Sequence, residues 1–171
     1  MKTKILFPIL LIGLAVFANP VKAQVEKIQT AFVLQLTRLV EWCPMGKQGN
    51  FTIGVLCDNP KILSELNSLQ GKKVINQTIE VKKLSSVSEV KSVNIVFVSR
   101  DKISDLQSII AAIGVNCTLI IADKPGAAGQ GAAISFIEDN GRIHFEINAS
   151  YAEKHSLRIN NELVKLAKRV F

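Results

Sequence analysis

Two short and nearly unbroken apolar runs, Val93 to Val98 and Thr118 to Ala122, constrain the fold more than any other feature of the chain. A strand wetted on one face alternates in polarity. One that stays apolar throughout is covered on both faces, as in a parallel sheet. Between the runs, Ile103, Leu106, Ile110 and Ile113 recur at helical spacing, with Asp101 placed to cap the start and Gly114 to end it. The spacing therefore predicts a βαβ unit whose strands are central.

The flanking segments extend that unit. Val25, Ile28, Phe32, Leu36 and Leu39 fall on one arc of a helix over Val25 to Trp42, with Glu26, Thr30, Thr37, Arg38 and Glu41 opposite. Phe51 to Leu56 reads as a strand, and Asn59-Pro60 opens a short helix to about Asn67. Gln77 to Lys83 alternates and ends in a lysine pair, which suits an edge strand. Ala132 to Ile137 and Arg142 to Asn148 flank an Asn140-Gly141 turn, the signature of an antiparallel hairpin. A final helix is expected over Asn160 to Val170. The fold class is α/β: a mixed, largely parallel sheet of about six strands, with a C-terminal antiparallel hairpin and helices on both faces.

The first 23 residues stand apart. A basic start (Met1 to Lys4), an apolar run (Ile5 to Ala18) and Val21-Lys22-Ala23 read as a secretory signal peptide, with the mature domain spanning 24–171. That places the domain in the periplasm. Of 21 basic residues, Lys2, Lys4 and Lys22 leave with the signal, so 18 face 14 acidic ones and the formal charge falls from +7 to +4. The remaining cations are scattered without an aromatic-interleaved stripe, which argues against nucleic acid as a partner.

Catalytic signatures are weak. Gly126-Ala-Ala-Gly129-Gln-Gly131 runs from strand to strand and delivers no ligand to a helix N-terminus, so it reads as a permissive loop or the lining of a small-ligand cleft rather than a phosphate cradle. Arg142, His144 and Glu146 share the polar face of one strand, where solvated decoration is the plainer reading. Cys57 ends a strand before a helix, where either a buried small residue or a thiol nucleophile is consistent with the pattern. If the first and fourth strands are parallel neighbours, Cys43 and Cys117 lie at one sheet end and Cys57 at the other. Cys43 to Cys117 is then the possible disulfide. No metal-ligand spacing is present, and neither metal nor cofactor is expected.

Partner contacts have better candidates. Leu34 falls within the polar arc of the first helix and is expected to be exposed; Trp42, the single Trp, ends that helix beside Glu41. Leu34, Glu41 and Trp42 are accordingly the candidate partner or dimer residues, with Trp42 equally open to the reading of a packed helix end.

Several motifs occur in a recognisable order. They are Thr30-Ala31-Phe32 leading to Val40-Glu41-Trp42, then Val55-Leu56-Cys57-Asp58-Asn59-Pro60, Leu69-Gln70-Gly71-Lys72 and Ile95-Val96-Phe97-Val98-Ser99. Phe145-Glu146-Ile147-Asn148 follows, with Leu157-Arg158-Ile159-Asn160 and Leu163 to Ala167. Together they resemble the YfiR family of small exported bacterial proteins over essentially the whole mature chain. Cys57 stands where that family usually carries Gly, and Cys43 displaces Pro44 from the usual Trp-Pro step. The resemblance implies a non-enzymatic periplasmic regulator that dimerises and acts on the periplasmic region of an inner-membrane receptor. That receptor would be a diguanylate cyclase, with cyclic-di-GMP and biofilm formation as the output, or a histidine kinase. The alternatives from other classes are a small-ligand binder with its cleft at Gly126 to Gly131 and a thiol-dependent hydrolase using Cys57.

Overall fold

Parallel pairing dominates because the apolar runs are buried on both sides. A computed structural model describes residues 20–171, and side chains from Gln24 onward. All but the last four residues of the expected signal peptide lie outside that range. The elements follow in the order α1 (Pro20–Leu39), β1 (Val40–Glu41), β2 (Phe51–Leu56), α2 (Pro60–Asn67), β3 (Lys73–Val74), β4 (Gln77–Lys83), β5 (Ile95–Val98) and α3 (Leu106–Ile113). After these come β6 (Leu119–Ala122), β7 (Ile134–Asp139), β8 (Arg142–Ile147), α4 (Ala149–Lys154), β9 (Arg158–Ile159), α5 (Asn161–Leu166) and β10 (Arg169–Val170).

The main sheet has eight strands in the order β10-β8-β7-β6-β5-β2-β4-β3, and β1 pairs with β9 in a separate two-stranded ribbon. From β4 through β7 every pairing is parallel. Strand order therefore reverses between β2 and β5, the arrangement in which a crevice opens at the carboxyl ends of the two strands. Strands β2, β5 and β6 are buried at every position. Helices α1 and α2 pack together, as do α3 and the 3-10 turn Val87–Ser92. The mixed, largely parallel sheet and its two helical layers match the sequence expectation, although two very short strands raise the strand number.

Several local expectations are corrected. Helix α1 ends at Leu39 rather than Trp42, because Val40 and Glu41 turn out to pair with Ile159 and Arg158. Its buried stripe is also rotated: Val25, Gln29, Thr30, Val33, Leu36 and Thr37 face inward, while Ile28 is exposed. A wheel that counts every Thr as polar misses this. Thr37 is fully buried because its hydroxyl donates to Leu34 O within the helix (2.7 Å), and Gln29 because its amide donates to Asp123 (2.8 Å). Leu34 is consequently not exposed; it is half-buried and packs against the core.

Strand β4 is covered by β3 only at Gln77 and Thr78, and the rest of it, with the lysine pair, borders the sheet as expected. Asp101 does not cap the helix that follows it; its carboxylate accepts from the Ser99 hydroxyl and the Asp58 amide. The chain leaves helical geometry at Ala167 (ψ 137°), and 169–170 add to β8 as a parallel strand, so the expected final helix is one third strand and tail. Lys168 N and Phe171 N donate to Phe145 O and Ile147 O, carbonyls of β8 that helix continuation would leave unpaired.

Candidate functional site

At the amino-terminal edge of the parallel strands, the end of α1 meets the β1–β9 ribbon. Asn160 N donates to Leu39 O (3.0 Å), locking the ribbon to the helix terminus. Glu41 and Arg158 sit directly opposite in the ribbon, with an ion-pair distance of 3.8 Å and both side chains largely in solvent. Trp42 follows immediately and turns inward. Its indole N–H donates to Thr37 O (3.1 Å), and its ring meets Phe51 edge-on at 4.9 Å between centroids. At 5% exposure Trp42 is a packed helix-end residue, whose buried ring cannot by itself be a surface anchor.

Cys43 and Cys117 are joined in a disulfide, with Cα atoms 6.2 Å apart. The strands expected to make them neighbours, β2 and β6, are in fact separated by β5. The bridge forms because residues 43–46 cross beneath β5: Asn94 accepts from Thr52 N and donates to Gly46 O, both at 2.8 Å. Beside it Tyr151 donates to Thr118 O (2.6 Å), and its ring stacks on His155 at 3.9 Å. The His155 Nδ1 lies 2.9 Å from Asn116 O. Burial pushes the His155 pKa below its ordinary value despite that hydrogen bond, and burial raises that of Tyr151.

Two cavities open on either side of this ribbon. One of about 810 Å³ reaches from Cys43 and Pro44 to Glu153 and Val164. The other, about 360 Å³, lies against Leu39, Val74 and Ile75. Both are lined by Glu41, Trp42, Lys47 and Arg158. Of the three partner residues expected from sequence, Glu41 and Trp42 thus share a site and Leu34 lines neither cavity. Arg158 and Lys47 were missed; Arg158 is brought opposite Glu41 by a two-residue pairing too short to leave a periodic signal.

The glycine loop is filled by the protein itself. Gly126 N and the Ser135 hydroxyl both donate to the Glu146 carboxylate, at 2.7 and 2.6 Å. Arg169 lies 3.6 Å from its other oxygen. Glu146 is therefore buried rather than solvated, unlike exposed Arg142 on the same strand face. A Cβ on Gly129 would approach the Phe171 ring at 2.9 Å, and one on Gly131 would approach Ile110 at 2.8 Å. Gly126 thus serves an internal carboxylate, while Gly129 and Gly131 lie against the Phe171 and Ile110 side chains.

At the opposite, carboxyl-terminal edge, Cys57 is buried and unbridged. Burial raises its thiol pKa, Asp101 and Asp58 add to the rise, and Lys83 opposes it. That disfavours the thiolate a nucleophile needs. His155 lies at the other end of the sheet, on the Asn116 carbonyl that precedes β6. A crevice of about 330 Å³ does open here, where strand order reverses, lined by Glu26, Lys61, Arg100, Asp101, Asp123 and Glu138 among others. Burial raises the Asp123 pKa, while Arg100 and the Gln29 amide pull it down. Among the described residues no group of three or more His, Cys, Asp or Glu could hold a metal ion, and no helix is long and apolar enough to cross a membrane.

A family model described as YfiR/HmsC-like matches residues 26–168. The chain belongs to that family. The match takes in the ribbon, the disulfide and the buried Glu146 of this YfiR/HmsC-like protein, and at family level it carries a periplasmic, regulatory and non-catalytic role. Two solved structures share the fold. One is the ABC domain in complex with L-Trp from Streptococcus pneumonia, at 15% identity and TM-score 0.53, covering 90% of this chain and 61% of that one. The other is a conserved domain protein from Vibrio cholerae O1 biovar eltor strain N16961, at 13% identity and TM-score 0.56, covering 86% and 60%. The YfiR/HmsC-like chain thus spans about three fifths of the length of each. No curated protein matches it significantly by sequence.

Proposed function

We propose that this chain is a periplasmic regulator that docks on the periplasmic region of an inner-membrane signalling receptor and biases its conformational equilibrium. By family resemblance the receptor is a diguanylate cyclase restrained in the bound state, with cyclic-di-GMP and biofilm formation rising on release. A histidine kinase is the alternative receptor. The observation that carries this reading is the convergence of the two ribbon cavities on Glu41, Trp42, Lys47 and Arg158, an open apolar and charged surface without a reactive constellation. Moving a two-state receptor from 1:99 to 99:1 takes about 5.5 kcal/mol of differential affinity, which a modest interface supplies. The chain works as a homodimer in this scheme.

The test is titration of the exported chain with the purified periplasmic regions of the membrane diguanylate cyclases and histidine kinases of the same cell. Saturable binding that weakens on Glu41→Arg and recovers with Arg158→Glu supports the reading, and light scattering reports the dimer. Absence of binding to either receptor class refutes it.

A second reading, small-ligand binding, is favoured by the crevice at the strand-order reversal. Its mixed carboxylates and cations suit a small molecule carrying a positive group. Thermal shift against a metabolite library tests it, since a ligand at 100 times its dissociation constant adds about 2.7 kcal/mol.

A further inference from the structure

The β3–β4 hairpin turns on two residues, Ile75 and Asn76, between the paired Val74 and Gln77. Ile75 has φ +51° and is 80% exposed. Turns of this length ordinarily place Gly, Asn or Asp at positive φ, and a β-branched residue there is strained. Nor does the side chain gain burial in return. An apolar group held in a strained backbone at a solvent-exposed tip serves nothing in this fold, and such outliers gather where a surface is used.

The surroundings indicate what it meets. Ile75 borders the 360 Å³ cavity, whose apolar wall is Leu39, Val40, Trp42 and Val74. The rim carries Arg38, Lys47 and Arg158 against Glu41 alone, and of these cations only Arg158 has a carboxylate partner among the described residues. A second copy of the chain would bring this rim against its own like charges. An acidic surface complements it.

We infer that the Ile75 hairpin tip and the basic-rimmed hollow beside it dock an acidic segment of a protein partner, one that presents a bulky apolar side chain between carboxylates. The hollow takes the apolar side chain, Ile75 packs over it, and Arg38 and Lys47 meet the flanking acids. This rests on the docking reading above and adds the chemistry of the partner.

The test uses the whole exported chain and three probes: a short peptide with a Leu-Phe pair flanked by glutamates, the same peptide with lysines, and anionic phosphatidylglycerol vesicles. Trp42 fluorescence and amide shifts are followed. The glutamate peptide is expected to shift Trp42 emission and the Arg38, Val74 and Ile75 amides. Its affinity should fall about tenfold on Ile75→Asn and again on Lys47→Glu, roughly 1.4 kcal/mol each. Asn tolerates positive φ, so the first variant keeps the hairpin. Equal binding of the lysine peptide, undiminished binding by Ile75→Asn, an inert glutamate peptide, or vesicles moving the same signals in its place would each overturn the inference. If the peptide is inert while the receptor region still binds, this inference falls and docking stands. If the peptide binds and no receptor region does, the docking reading falls instead.

Discussion

The Ser135 hydroxyl donates to the Glu146 carboxylate across the β7–β8 pair at 2.6 Å, directly beneath the amide of Gly126. A buried carboxylate so held organises the crossover from β6 to β7. Glu146→Ala leaves the Gly126 amide and Ser135 hydroxyl without their acceptor and Arg169 without its partner, and should cost about 3 kcal/mol. Glu146→Gln, which keeps shape and one acceptor, should cost less. Urea unfolding monitored by Trp42 fluorescence measures both.

Thr30 offers the opposite sign. Its hydroxyl is buried on α1 and has no hydrogen-bond partner among the described residues. Thr30→Val replaces it with a methyl group of similar shape and should raise stability by about 1 kcal/mol, read as a higher urea midpoint at unchanged m.

His155 predicts an acid-side loss of stability. Its folded pKa lies below the ordinary 6.5, because burial disfavours the cation. The unfolded chain then binds the extra proton first as pH falls through 6.5, so stability drops from there down to the folded pKa. His155→Gln should flatten the slope between neutrality and pH 5, measured by unfolding at several pH values. A slope unchanged in the variant would assign it to other groups.

The thiols divide sharply. Reducing the Cys43–Cys117 bond opens a loop of sequence separation 74, and chain-entropy arguments put the loss at roughly 4 kcal/mol. Melting of Cys43→Ser/Cys117→Ser against the parent checks it. Cys57 should label slowly with iodoacetamide at neutral pH and quickly only on unfolding. Because its folded pKa is raised, stability should also decline as pH climbs past the ordinary thiol value of 9.0, less so in Cys57→Ala.

Ile75→Asn removes a strained backbone position at almost no loss of burial. The melting temperature should hold or rise, with a gain of up to about 1 kcal/mol. A marked drop would mean that the side chain is used internally.

The parts of this molecule visible in its sequence are those where one period runs long enough to be counted. The β5 and β6 runs, the Asn59-Pro60 helix start and the Asn140-Gly141 turn are all local, and the structure has them where the residues put them. The candidate site is built differently. Glu41 meets Arg158 across 117 positions through a two-residue pairing, and Glu146 is buried only because β10 and the Gly126 loop close over it. Thr37 looks polar until its hydroxyl is seen returned to the helix backbone. None of these leaves a periodic trace, which is why Glu41 was legible as a candidate and its partner was not.

The eight-stranded sheet finishes on both sides in strands of two residues, Lys73–Val74 and Arg169–Val170. Open main-chain rungs are what a sheet needs to recruit a neighbour's backbone, and these two short strands cover only Gln77 and Thr78 of β4 and Glu146 and Ile147 of β8, so the rest of both strands borders the sheet. Exposed Lys82 and Lys83 on the uncovered end of β4, and Arg142 on that of β8, put charge where a neighbouring backbone would have to approach, which discourages templated strand addition.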